Sequence, residues 1–124
     1  MALQQGSIVW VELVDSAGRN PKTRPAVVLT PSNEILPGGT IYVAAASSTF
    51  NEPLPVNQVV LPWHPQNHPV TGLRKKCVVM CEWIAEIDPA HILEIGGVCP
   101  PSHLFQILAR LPKIPSRVKP PPQG

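Results

Sequence analysis

Long apolar runs are missing from this sequence. No hydrophobic stretch approaches the ~20 residues that a membrane-spanning helix needs, which argues against a helical membrane protein. The opening residues, Met1-Ala2-Leu3-Gln4-Gln5-Gly6, have neither the basic start nor the apolar segment of a secretory signal, so a cytoplasmic location is expected. Charge is scarce: 15% of the residues are Asp, Glu, Lys or Arg, and the net charge is +2. It is also uneven, because Arg110, Lys113, Arg117 and Lys119 lie near the C-terminus and no acid follows Glu94. Lys113, Arg117 and Lys119 are 3 of the 10 basic residues, which leaves 7 basic against 8 acidic residues in the first 112 positions. Any attraction for nucleic acid must therefore come from a local cluster and not from bulk charge. Cysteine is limited to Cys77, Cys81 and Cys99, an odd number without a C-x-x-C pair. They read as small buried thiols in a reducing compartment. The chain has no glycine-rich phosphate loop of the nucleotide-binding types and no G-x-S-x-G elbow.

Proline, by contrast, is abundant. Seventeen prolines in 124 residues, scattered between apolar runs, argue for short strands and turns over long helices. The length suits one domain, placed here at residues 1–111, with a Pro-rich basic tail at 112–124 expected to be disordered. Strands are expected at Ser7 to Val14, at about Pro25 to Thr30, at Thr40 to Ala46, at about Asn57 to Leu61, and from Cys77 to Ile87 as a central strand. The Trp63-to-Pro69 segment must be irregular, since its prolines break any ladder or helix. Asp88-Pro89 opens a short helical turn through Leu93, which Gly96-Gly97 is expected to end. A C-terminal helix capped by Ser102 carries Leu104, Ile107, Leu108 and Leu111 on one stripe. The fold class is mainly β with a C-terminal helix, a strongly bent antiparallel sheet or open barrel.

The chemistry has few candidate sites. His64 and His68 are four apart, but Pro65 forbids the helix that would make the spacing useful; His91 and His103 have no Cys or carboxylate partner at ligand spacing. No metal and no cofactor are expected. Arg24 precedes Pro25, which fixes its own φ and pushes Arg24 into extended backbone at a strand entrance. There it is either a solvated arginine or a fixed guanidinium for phosphate or carboxylate. Ser47, Ser48 and Thr49 follow the third strand, Arg74-Lys75-Lys76 precedes the long one, and Glu82 lies within it. If these ends converge on one rim, an arginine with hydroxyls suits a phosphodiester, whose pentacoordinate transition state gathers negative charge. The basic triplet would then hold flanking phosphates.

In their order and spacing these pieces resemble the MazF/PemK (Kid-like) toxins of bacterial toxin–antitoxin pairs. The resemblance runs from about Gly6 to Leu111. It is carried by Gly6-Ser7-Ile8-Val9-Trp10-Val11, Arg24-Pro25-Ala26-Val27-Val28-Leu29, Tyr42-Val43-Ala44-Ala45-Ala46-Ser47-Ser48, Gly72-Leu73, Glu82-Trp83-Ile84-Ala85-Glu86-Ile87-Asp88 and Ile95-Gly96. It implies an SH3-like open barrel, a homodimer, metal-independent endoribonuclease action on single-stranded RNA, and neutralisation by a small antitoxin. By the same resemblance Arg24 and Ser47 are the catalytic pair, with Ser48 the fallback in a register one residue later. Ser48, Arg74, Lys75, Lys76, Glu82 and Trp83 are the expected RNA contacts. Trp83 stands where family members commonly carry Gln, which implies an altered sequence preference or weak activity. Two other readings stay open: a CcdB-like barrel that grips DNA gyrase, and an interaction barrel that docks through the Pro112-to-Pro115 P-x-x-P segment.

Overall fold

The computed structural model describes residues 3–14, 18–48 and 52–111. The expected tail at 112–124 and Thr49 lie outside the described residues. Six strands form one antiparallel, curled sheet: β1 (Ser7–Leu13), β2 (Lys22–Val28), β3 (Ile41–Ser47), β4 (Gln58–Val60), β5 (Val78–Ile87) and β6 (Glu94–Val98), in the spatial order β4-β5-β3-β2-β1-β6. One α-helix among the described residues, α1 (Pro101–Arg110), follows. This is the mainly-β architecture with a C-terminal helix that the sequence implies.

Alternation builds a core on each face of the sheet. Ile8, Val27, Ala44, Ala46 and Val79 belong to one buried cluster, while Val9, Val11, Ala26, Val28 and Val43 belong to the other. The first cluster is completed by Leu61, Leu73 and Cys77 from the 61–77 segment and by Ile107 of α1, which packs on β4 and β5. All three cysteines are buried and free of disulfides. Within 61–77, His64 Nδ1 accepts from the Gln66 amide at 3.0 Å, and His68 Nδ1 accepts from Val70 and Thr71 at 3.1 and 3.2 Å. These imidazoles hold an irregular loop that no ladder supports.

Four expectations need correction. Gly96 and Gly97 do not end an element; they lie inside β6, because that strand passes too close to its neighbours for side chains. A Cβ on Gly96 would come 2.9 Å from Trp10 Nε1, and one on Gly97 would come 2.4 Å from the Val70 carbonyl oxygen. Arg24 is extended as expected, but it does not precede the second strand: it is the third residue of β2, opposite Val11 of β1, since β1 pairs with β2 as far out as Lys22. Ser47 closes β3 instead of following it, because it pairs with Val78. Helix α1 begins at Pro101 after Pro100, with no side-chain cap from Ser102. Of its expected stripe, Ile107 is buried and Leu104 and Leu111 pack against the core, but Leu108 stays 36% exposed beside Phe105, which is 74% exposed.

The long strand is also less regular than its sequence suggests. The β3–β5 register runs Ala44↔Ile84 and then Ala46↔Val79, so the four residues Met80–Trp83 stand opposite Ala45 alone. This is an enlarged bulge that bends β5. Val79 before it and Cys81 within it serve the first core; Trp83 at its end, with Ala85 and Ile87 after it, serves the second.

Candidate nucleic-acid interface

Pro25 has no amide proton to donate, and the β2–β3 ladder begins only after it, at Ala26↔Ala45. Carrying that register two residues outward sets Arg24 opposite Ser47, past the last paired rung. Each residue is held by its other neighbour, Arg24 by Val11 of β1 and Ser47 by Val78 of β5; between them the two strand ends form a wall that borders two clefts, and Arg24 and Ser47 line both.

The larger cleft has a volume of about 830 Å³, within the roughly 300–1,000 Å³ of small-ligand pockets. Its other walls come from Leu13 and Val14 at the end of β1, Gln58 on β4, and Met80, Glu82 and Trp83 from the β5 bulge. The Arg24 guanidinium stacks over the Trp83 ring at 5.0 Å from the centroid, a cation–π contact that fixes both groups. Arg24 Nε donates to the Leu13 carbonyl at 3.4 Å, and Nη2 donates to the Asn20 carbonyl at 3.3 Å. Arginine has five N–H donors, so the fork is anchored at one end while others stay available to a ligand. Gln58 Oε1 is buried and accepts no hydrogen bond from the described residues.

The smaller cleft, about 180 Å³, is basic. Lys22, Thr23 and Pro25 from β2, Trp10 from β1, Ser48, Arg74 and Lys75 line it with Arg24 and Ser47. No carboxylate is among these residues. The structure thus brings together Arg24, Ser47, Glu82 and Trp83 in one cleft, and Arg24, Ser47, Ser48, Arg74 and Lys75 in the other. Lys76 lines neither; its Nζ pairs with Glu52 Oε1 at 3.1 Å. Sequence reasoning missed Gln58 and Met80 in the first cleft, and Trp10, Lys22 and Thr23 in the second. The only signal for Gln58 was a polar residue in the otherwise apolar run Gln58-Val59-Val60-Leu61; its importance depends on β4 pairing Gln58 with Met80 of the bulge.

The family model described as "PemK-like, MazF-like toxin of type II toxin-antitoxin system" matches residues 4–114. The chain belongs to this toxin family. The fold agrees with solved family structures. MazF from Deinococcus radiodurans is 23% identical with a TM-score of 0.67, covering 90% of this chain and 94% of that one. A MazE–MazF structure from the same organism is 24% identical with a TM-score of 0.64, covering 90% and 93%. An endoribonuclease in complex with its cognate antitoxin, from a mycobacterial species, is 14% identical with a TM-score of 0.64, covering 89% and 91%. None of the curated proteins matches. Identities this low speak for the barrel and not for the chemistry of the PemK/MazF site in this chain. No helix among the described residues is long and apolar enough to cross a membrane.

Proposed function

We propose that this family member is an endoribonuclease that cuts single-stranded RNA without a metal ion. The observation that carries the reading is the position of Arg24 and Ser47 on a wall shared by an aromatic cleft and a basic one. An unpaired base stacks on Trp83 in the first, and the phosphates of the neighbouring nucleotides lie along Ser48, Arg74 and Lys75 in the second. The scissile phosphate then sits at the wall. The ribose 2′ oxygen forms a bond to phosphorus and the P–O5′ bond breaks, leaving a 2′,3′-cyclic phosphate and a 5′-hydroxyl; the proton lost at O2′ is balanced by one gained at O5′. The free N–H groups of Arg24 stabilise the phosphorane charge, held in advance by Leu13, Asn20 and Trp83 so that little reorganisation is needed. The Ser47 hydroxyl orients the phosphate.

The reading includes an antitoxin as the controlling partner, since solved relatives are complexes of a toxin with its antitoxin. It also includes a second copy of the chain, supported by Phe105 and Leu108 left exposed on α1, and a cytoplasmic site of action, where the substrate is. The test is incubation of the purified protein with a long RNA in EDTA, beside Arg24→Ala and Ser47→Ala. The wild type is expected to leave cyclic-phosphate ends, and Arg24→Ala to cut roughly 100- to 1,000-fold more slowly. Ser47→Ala is expected to cut more slowly with an unchanged thermal midpoint. Equal cutting by wild type and Arg24→Ala removes Arg24 from the chemistry, and no cutting by the wild type transfers the chain to the binding classes.

A further inference from the structure

The buried, unsatisfied Gln58 Oε1 is the least expected atom in the larger cleft. A buried acceptor without a donor is costly to a fold and uncommon, and a site built to hydrogen-bond a ligand is one place where it persists. Gln58 lies on the edge strand β4 opposite Met80, next to the bulge that presents Glu82 and Trp83 to the same cleft. Glu82 is exposed and, when ionised, accepts hydrogen bonds without donating any. The cleft therefore holds an aromatic ring and a carboxylate, and Gln58 in its wall carries an orphaned carbonyl that a turn of the side chain exposes to a ligand.

We infer that Gln58 is a specificity-determining residue, which selects, through its Oε1 and with Glu82 beside it, a base bearing an exocyclic amino group over uracil. The inference rests on the proposed action on RNA. A base stacked on Trp83 turns its hydrogen-bonding edge toward the two acceptors. The amino group of adenine or cytosine brings two N–H donors, enough for both. Uracil brings a single N3–H flanked by O2 and O4, so a second acceptor would face a carbonyl oxygen. Gln pairing with adenine and Glu accepting from the cytosine amino group follow the same donor–acceptor matching in base-edge readout. Trp83 supplies stacking that tolerates any base; Gln58 supplies the choice.

The test measures binding separately from cleavage. Fluorescently labelled 2′-O-methyl pentamers of A, C and U lack the nucleophilic hydroxyl, and their affinities are read by anisotropy. The wild type is expected to bind the A or C pentamer roughly 10-fold more tightly than the U pentamer. Gln58→Leu is expected to bring that ratio close to 1, and to melt no lower than the wild type because it removes an unsatisfied acceptor. Gln58→Glu, which keeps the shape and the acceptor, is expected to retain the preference. Equal binding of all three pentamers by the wild type, or an undiminished preference in Gln58→Leu, overturns the inference and leaves the RNA reading standing. Absence of binding to every pentamer overturns both. A Gln58→Leu protein that loses folding assigns the residue to structure, unless Gln58→Glu folds and keeps the ratio.

Discussion

Replacing Gly97 with alanine tests the packing of β6 against the 61–77 loop. The added Cβ would stand 2.4 Å from the Val70 carbonyl oxygen and 2.6 Å from the carbonyl carbon and oxygen of Thr71, against the 3.4 Å at which ordinary contact begins. Every one of these atoms is backbone, so no rotamer change relieves the clash, and strand and loop must part by about 1 Å. The Val70 oxygen also accepts the hydrogen bond of the Val98 amide at 3.0 Å. A displacement of that size breaks the bond, at about 1 kcal/mol, on top of about 1–3 kcal/mol for overpacking. The sum, about 2–4 kcal/mol, lowers the thermal midpoint of a chain this size by on the order of 10 °C. Gly38→Ala is the control: Gly38 has φ +76° and nothing within 4 Å of a Cβ, so it reports backbone strain alone, about 1 kcal/mol. Calorimetric melts of the two variants and the wild type check the reasoning. A Gly97→Ala midpoint within about 2 °C of the wild type, or one no lower than that of Gly38→Ala, would refute the close approach.

Two further outcomes are expected. Burial pushes the Cys99 thiol up to about 12 from an ordinary 9.0. The unfolded chain thus releases this proton from about pH 9 while the folded chain keeps it, and stability must fall as pH rises from 9 toward 12; urea midpoints across that window should fall less in Cys99→Ala, and parallel curves would contradict the assignment. If Arg74 and Lys75 hold RNA phosphates, replacing both with alanine should flatten the dependence of log K on log salt by roughly 1.4 for a single strand. An unchanged slope for the uncleavable pentamers would empty the basic cleft of its phosphates.

Much of the barrel is legible in the sequence because its strands alternate. Ser7–Leu13 and Ile41–Ser47 carry β-branched and small apolar residues whose parity matches the two cores, so period and propensity agree. Strand β6 is not legible. Locally a Gly-Gly pair is a stop, and only the distant Trp10 and the residue 70–71 backbone explain why Gly is needed there. The Arg24-Pro25 step locates the guanidinium in extended backbone, but the ladder that extends past it to Lys22 depends on β1. Arg24, Ser47 and Trp83 were named from sequence; their meeting was not, and neither was Gln58. Both depend on a register change in β5, and register is a property of the pair of strands.

That register change has a consequence for how the site can vary. Because Met80–Trp83 face a single residue of β3, the two halves of β5 are anchored independently, Val79 against Ala46 and Ile84 against Ala44. Within the span between those anchors Met80 still pairs with Gln58 of β4 and Cys81 stays in the first core, while Glu82 and Trp83 turn to the cleft. A substitution at Glu82, which is exposed and belongs to neither core, would alter the cleft while leaving both cores in register, whereas a one-residue change in the length of β5 would turn a buried row outward. The barrel thus separates the part that must be kept to fold from the part that can be altered to read a different ligand, and places the boundary within one strand.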